Sequence, residues 1–120
     1  MNIILPLYIL IKKYWITLSI IILISISVIS FWPRINIQSG ISFHDKIFHT
    51  LAYFFLALPV SIANPPSNKY IYIFIILYGG LIELIQPYFN RSGDIYDFIA
   101  NIIGILLSYY ISLKIRVNVN

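Results

Sequence analysis

Cysteine is absent from the chain, which excludes disulfides, thiolate nucleophiles and thiolate metal sites, and leaves the redox compartment unreported. Charge is nearly as scarce. Only 10% of the 120 residues are charged, whereas soluble domains carry about 25% to face water. A chain that is 60% hydrophobic with so little charge has lipid, not water, as the solvent for most of its surface. Glycine and methionine are also sparse, and the dominance of isoleucine, tyrosine and asparagine reads as compositional bias of the source rather than as function. The net charge of +4 does not point to nucleic acid, because the basic residues sit at the ends of apolar blocks and not in a stripe interleaved with aromatics.

What is present is four apolar blocks separated by short polar stretches. Each block approaches the roughly 20 residues that a 30 Å hydrocarbon core requires of a helix. The pattern predicts one membrane domain, all-α, an antiparallel bundle of four transmembrane helices at about 14–32, 46–63, 70–88 and 95–113. The first block follows Lys12 and Lys13 and contains no charged residue. It is longer than a secretory h-region and no A-x-A-like site follows, so it reads as a retained anchor. The apolar segment Met1 to Ile11 either lies at the interface or extends that helix inward. Asn64-Pro65-Pro66-Ser67-Asn68 and Asn90-Arg91-Ser92-Gly93 are turns by composition, and Asp94 is in position to cap the last helix.

Orientation follows from the basic residues. With the N-terminus inside, the inner side holds Lys12, Lys13, Lys69, Lys114 and Arg116, and the outer side Arg34, Lys46 and Arg91, which favours both termini in the cytoplasm. Aromatics fit the same frame: Tyr14, Trp15, Tyr70, Tyr72, Tyr109 and Tyr110 at an inner belt, Phe31, Trp32, Tyr88, Phe89 and Tyr96 at an outer one.

Antiparallel packing brings the start of helix two, the end of helix three and the start of helix four to one mouth, and all four acids of the chain lie there. Asp45, His49 and Tyr53 recur every four residues on one helix face. Glu83 and Gln86 are three apart. Asp94, Asp97, Asn101, Gly104 and Ser108, spaced by three or four, draw a polar and small stripe that belongs against other helices. Glu83 lies 13 residues past Tyr70, about 20 Å of rise, which sets it inside the outer third of the hydrocarbon, where an isolated carboxylate costs about 3 kcal/mol or more. Lys46, Arg91 and His49 are its candidate partners. A cluster of this kind either fixes helix register or serves a ligand. A histidine with three or four carboxylates could bind a divalent cation, but their spacing matches no metal motif such as H-E-x-x-H, so neither a metal nor a cofactor is expected.

The stretch Asp45-Lys46-Ile47-Phe48-His49-Thr50-Leu51-Ala52-Tyr53 resembles the D-K-x-x-H-x-x-x-Y element of the VanZ-like family. Glu83-Leu84-Ile85-Gln86 is similar to that family's E-x-x-Q, Arg91 to its following arginine, and Asp94 through Gly104 to its D-x-x-D-x-x-x-N-x-x-G element, the likeness covering about residues 42–112. The resemblance implies a small multi-pass protein of the bacterial plasma (inner) membrane, of the kind associated with low-level resistance to the glycopeptide teicoplanin. Those drugs act where lipid-linked cell-wall precursors are exposed, on the face to which the topology assigns the cluster.

Two function classes use the same residues. In the first, an outward-facing pocket of Asp45, Lys46, His49, Tyr53, Glu83, Gln86, Arg91, Asp94, Asp97 and Asn101 engages a phospholipid headgroup or a lipid-linked cell-wall precursor, Lys46 and Arg91 holding phosphate. In the second, a membrane enzyme acts on a lipid-linked substrate, with His49 as general base and Glu83 or Asp97 as acid or metal ligand. A small multidrug exporter is disfavoured, since the first helix lacks the embedded carboxylate that class requires. The lipid bilayer is the expected partner, nucleic acid is not, and homo-oligomerisation stays open.

Overall fold

A computed structural model of the protein describes residues 3–32, 43–89 and 94–119. The described residues form helices and turns: α1 Ile4–Lys13, α2 Trp15–Phe31, α3 Phe43–Ala63, α4 Asn68–Ile85 followed by a 3₁₀ turn Gln86–Phe89, and α5 Ile95–Val119. The protein is therefore all-α over these residues, and its apolar helices make it a multi-pass membrane protein. Asp45–Ala63, Asn68–Phe89 and Ile95–Val119 are each long and apolar enough to cross a membrane. The 17 residues of α2 rise about 26 Å, near the lower limit for a crossing.

The segment before the first anchor does not extend it. α1 is a separate helix, and the axis turns by 80° between α1 and α2. Tyr14 makes the break with φ −111° and ψ 25°, outside helical values, while its N–H still bonds Leu10 O at 3.1 Å. α1 packs on α3 and α2 through the buried Tyr8, and Lys12 and Lys13 lie over the rings of Tyr8 and Tyr14 at 5.8 and 5.2 Å.

Local chemistry sets the other boundaries. After α3, Asn64 adopts φ 49°, a left-handed conformation that asparagine tolerates better than most residues, and the following Pro65 and Pro66 cannot continue a helix. Asn68 Nδ2 donates back to Asn64 Oδ1 at 2.7 Å, which closes the turn into α4. α4 passes into the 3₁₀ turn at Gln86, which keeps helical dihedrals (φ −50°, ψ −38°), where Pro87 has no N–H to give to the α-helical ladder. α3 begins at Phe43, earlier than the anticipated Lys46, so Asp45 belongs to its first turn. α5 runs to Val119, six residues past the anticipated end at 113. Its 25 residues rise about 38 Å, more than the hydrocarbon core, so its last turns with Lys114 and Arg116 emerge from it.

Side-chain pairings define the bundle. Lys46 meets Asp97 and His49 meets Asn101, so α3 and α5 run parallel; Ser27 meets the Tyr78 hydroxyl and Phe31 meets Phe89, so α2 and α4 run parallel in the opposite sense. The order is up-down-up-down. α3 and α5 make the most extensive contact, and they approach so closely at Gly104 that a Cβ there would overlap the Thr50 carbonyl oxygen and lie 2.9 Å from Phe54 N. Below the polar mouth the core consists of Ile26, Tyr53, Leu56, Ala57, Ile75, Ile82 and Ile105. Ser61 and Ser108 continue the small-residue seam, with Ser61 Oγ 2.6 Å from the Tyr72 hydroxyl, and Ser112 is buried one turn further. Large apolar side chains such as Phe48, Leu77, Leu84 and Leu106 point outward, as a lipid-facing surface requires.

Candidate functional site

The first turns of α3 and α5 and the last turn of α4 build the mouth. Asp94 is its hub. Its Oδ1 accepts from Tyr96 N–H at 3.0 Å, the N-cap bond to the second residue of α5, and its main-chain oxygen accepts from Asp97 N–H at 3.0 Å. The same residue reaches two other helices. Its N–H donates to Glu83 Oε2 on α4 at 3.1 Å, and its Oδ2 accepts from Lys46 Nζ on α3 at 2.8 Å. The Lys46 bond, helped by the Tyr96 N–H, holds the Asp94 carboxyl below the usual aspartate range.

Lys46 Nζ also donates to Asp97 Oδ1 at 2.5 Å. Two of its three N–H donors are thus committed to carboxylates and one remains. Asp97 is 6% exposed, and its other oxygen lies 3.5 Å from His49 Nε2. The other ring nitrogen, Nδ1, lies 3.0 Å from Asn101 Oδ1 and 3.7 Å from Glu83 Oε1. One ligating atom from each of His49, Glu83 and Asp97 falls within 4.8 Å of the other two.

Several buried polar atoms here have no hydrogen-bond partner among the described residues: Glu83 Oε1, Asn101 Nδ2 and the Tyr53 hydroxyl. Each such group is a cost to the fold unless water or a ligand that enters the mouth meets it. Gly79 lets α4 approach them: a Cβ at that position would lie 3.0 Å from Asn101 Nδ2 and 3.1 Å from the Tyr53 ring.

Of the candidate residues, the structure brings Lys46, His49, Glu83, Asp94, Asp97 and Asn101 into one connected group, with Tyr53 a turn below His49. Asp45 sits half-buried beside Lys46 in the first turn of α3. Gln86 is buried, but its Nε2 donates to the Ser30 carbonyl of α2 at 3.2 Å, so it ties α4 to the first anchor. Arg91 and its turn lie outside the described residues, as does Arg34. The part taken by α2 went unnoticed in the sequence: Ser27 bonds the Tyr78 hydroxyl and Ser30 receives Gln86. The serines at 25, 27 and 30 in an otherwise apolar run were the available signal.

No family model matches the chain, and neither does any curated protein or solved structure.

Proposed function

We propose that the chain is a VanZ-like protein of the bacterial cell envelope, with both termini in the cytoplasm and its polar mouth on the outer face, where it engages the headgroup of a phospholipid or of a lipid-linked cell-wall precursor. Support for the family comes from the linked motifs in order, and support for the orientation from the excess of lysine and arginine on the inner side. The observation that carries the ligand is the set of buried, unpartnered polar atoms at the mouth. A headgroup offers both kinds of complement. Its hydroxyl or ammonium donors suit Glu83 Oε1, and its phosphate oxygens suit the remaining N–H of Lys46 and the free amide of Asn101, with Arg91 as the bidentate phosphate contact.

A second reading, a membrane enzyme, takes support from the His49 ring, which is oriented by Asn101 at one nitrogen and faces the Asp97 carboxylate with the other, as a general base and its orienting groups would be. One assay separates the two. Purified protein is incubated with labelled phosphatidylglycerol, phosphatidylethanolamine or an undecaprenyl-linked cell-wall precursor. Stoichiometric retention of one of them without product supports the binder, and turnover that disappears in His49→Ala supports the enzyme. Retention of none, with no turnover, contradicts both. The implied link to glycopeptides has its own test, since expression in a susceptible host should raise the inhibitory concentration of teicoplanin.

A further inference from the structure

At the base of the mouth three potential ligands from three helices converge: His49 of α3, Glu83 of α4 and Asp97 of α5. In each, one polar atom is already held by a neighbour. Asp94 N–H holds Glu83 Oε2, Lys46 holds Asp97 Oδ1, and Asn101 Oδ1 faces His49 Nδ1 at 3.0 Å. With Nδ1 donating to that oxygen, a neutral ring offers Nε2 as a bare lone pair. That lone pair faces Asp97 Oδ2, itself an acceptor, at 3.5 Å. Two acceptors so placed are joined either by a proton on the ring or by a metal ion. The separation is long for an N–H···O bond, yet it is about the ligand-to-ligand distance, roughly 3.4 Å, of a tetrahedral ion with 2.0–2.2 Å bonds.

Glu83 supplies an independent sign. It is 8% exposed, and its Oε1 has no hydrogen-bond partner among the described residues although it lies 3.7 Å from the same ring. A buried carboxylate oxygen of this kind requires a cation or a donor. The second residues on Glu83, Asp97 and His49 match the outer contacts that orient ligands in metal sites.

We propose that His49, Glu83 and Asp97 bind one divalent transition-metal cation, Zn²⁺ or Mn²⁺, with Asn101, Asp94 and Lys46 positioning the three ligands. One imidazole and two carboxylates suit these ions, whereas Ca²⁺ and Mg²⁺ prefer all-oxygen sets and the chain offers no thiolate for softer metals. Two carboxylates neutralise the ion, and three protein ligands leave a coordination position open. Spacing rules drawn from single segments do not register such a site, because its ligands come from different helices. The site does not depend on the headgroup reading.

The test uses the full chain purified in detergent, stripped with chelator, and titrated calorimetrically with Zn²⁺ and separately with Mn²⁺. One of the two ions should bind at one per chain. His49→Gln and Glu83→Gln should each weaken binding at least tenfold with unchanged helical content and elution volume, and Asn101→Ala about tenfold or more. His44→Gln, at the chain's other histidine, should bind as the wild type does. X-ray absorption of the loaded wild-type protein should show a nitrogen and oxygen shell at about 2.0–2.2 Å that includes one imidazole, a measurement that needs no variant to fold. Absence of saturable binding by either ion, binding that survives His49→Gln, or a metal shell without imidazole would overturn the proposal.

Discussion

Lys46 of α3 donates to Asp97 of α5 at 2.5 Å, and this pair, 20% and 8% exposed at the side chains, locks the parallel register of the two most closely packed helices. Removing one partner strands the other charge at the membrane mouth, which for buried pairs costs about 3–5 kcal/mol. Lys46→Ala should therefore lower the thermal unfolding temperature of the detergent-solubilised protein. The double variant Lys46→Ala, Asp97→Ala should lose less than the sum of the single losses. Additive losses would mean that the pair is not coupled.

Gly104 and Gly80 make contrasting predictions. A methyl at Gly104 meets the backbone of α3, which cannot move aside without separating the helices, while a methyl at Gly80 meets the edge of the Phe98 ring at 3.2 Å, which can turn. Gly104→Ala should cost at least the 1–3 kcal/mol typical of overpacking. Gly80→Ala should cost clearly less. Thermal unfolding of the two variants side by side makes the check.

The Asp94 carboxyl predicts a pH dependence. Lys46 and the Tyr96 N–H favour its charged form in the folded protein, so its folded pKa lies below the usual aspartate value of about 3.9. The stability it contributes is full above that value and disappears as the pH falls through the lower, folded one. Unfolding temperature measured from pH 6 down to pH 3 should drop, and Asp94→Asn, which keeps a capping oxygen but not the charge, should flatten that part of the drop.

Spacing made much of the mouth legible. Residues 45, 49 and 53 on one face, and 94, 97, 101, 104 and 108 on another, placed the polar stripes against other helices, where Asp97, Asn101, Gly104 and Ser108 are all buried. The N-cap at Asp94 followed from its residue type and its place before an apolar run. What spacing could not supply was partner choice. Lys46 reads as a candidate partner of Glu83, whereas the structure gives its ammonium to Asp94 and Asp97. The 80° break at Tyr14 has no proline or glycine to announce it, and beyond it α1 packs on α3. Gln86 reads as a partner of Glu83 by its i+3 position, yet its Nε2 donates to the Ser30 carbonyl of α2.

The Tyr53 hydroxyl separates structure from function at small scale. It is buried without a hydrogen-bond partner among the described residues, so Tyr53→Phe removes an unsatisfied group and should leave folding unchanged or slightly improved. If the hydroxyl serves the ligand in the mouth, the same variant should retain less labelled lipid.

The central claim, that the mouth is built for a ligand and not merely to fix helix register, is tested most directly at Glu83, where one carboxylate oxygen is held by Asp94 N–H and the other has no partner among the described residues. Glu83→Gln keeps size and an acceptor for Asp94 while removing the charge. The measurement is retention of the labelled lipid that the wild type binds, taken together with folded yield. The account predicts normal yield and elution volume with retention lost. Normal retention by a well-folded Glu83→Gln protein would contradict it.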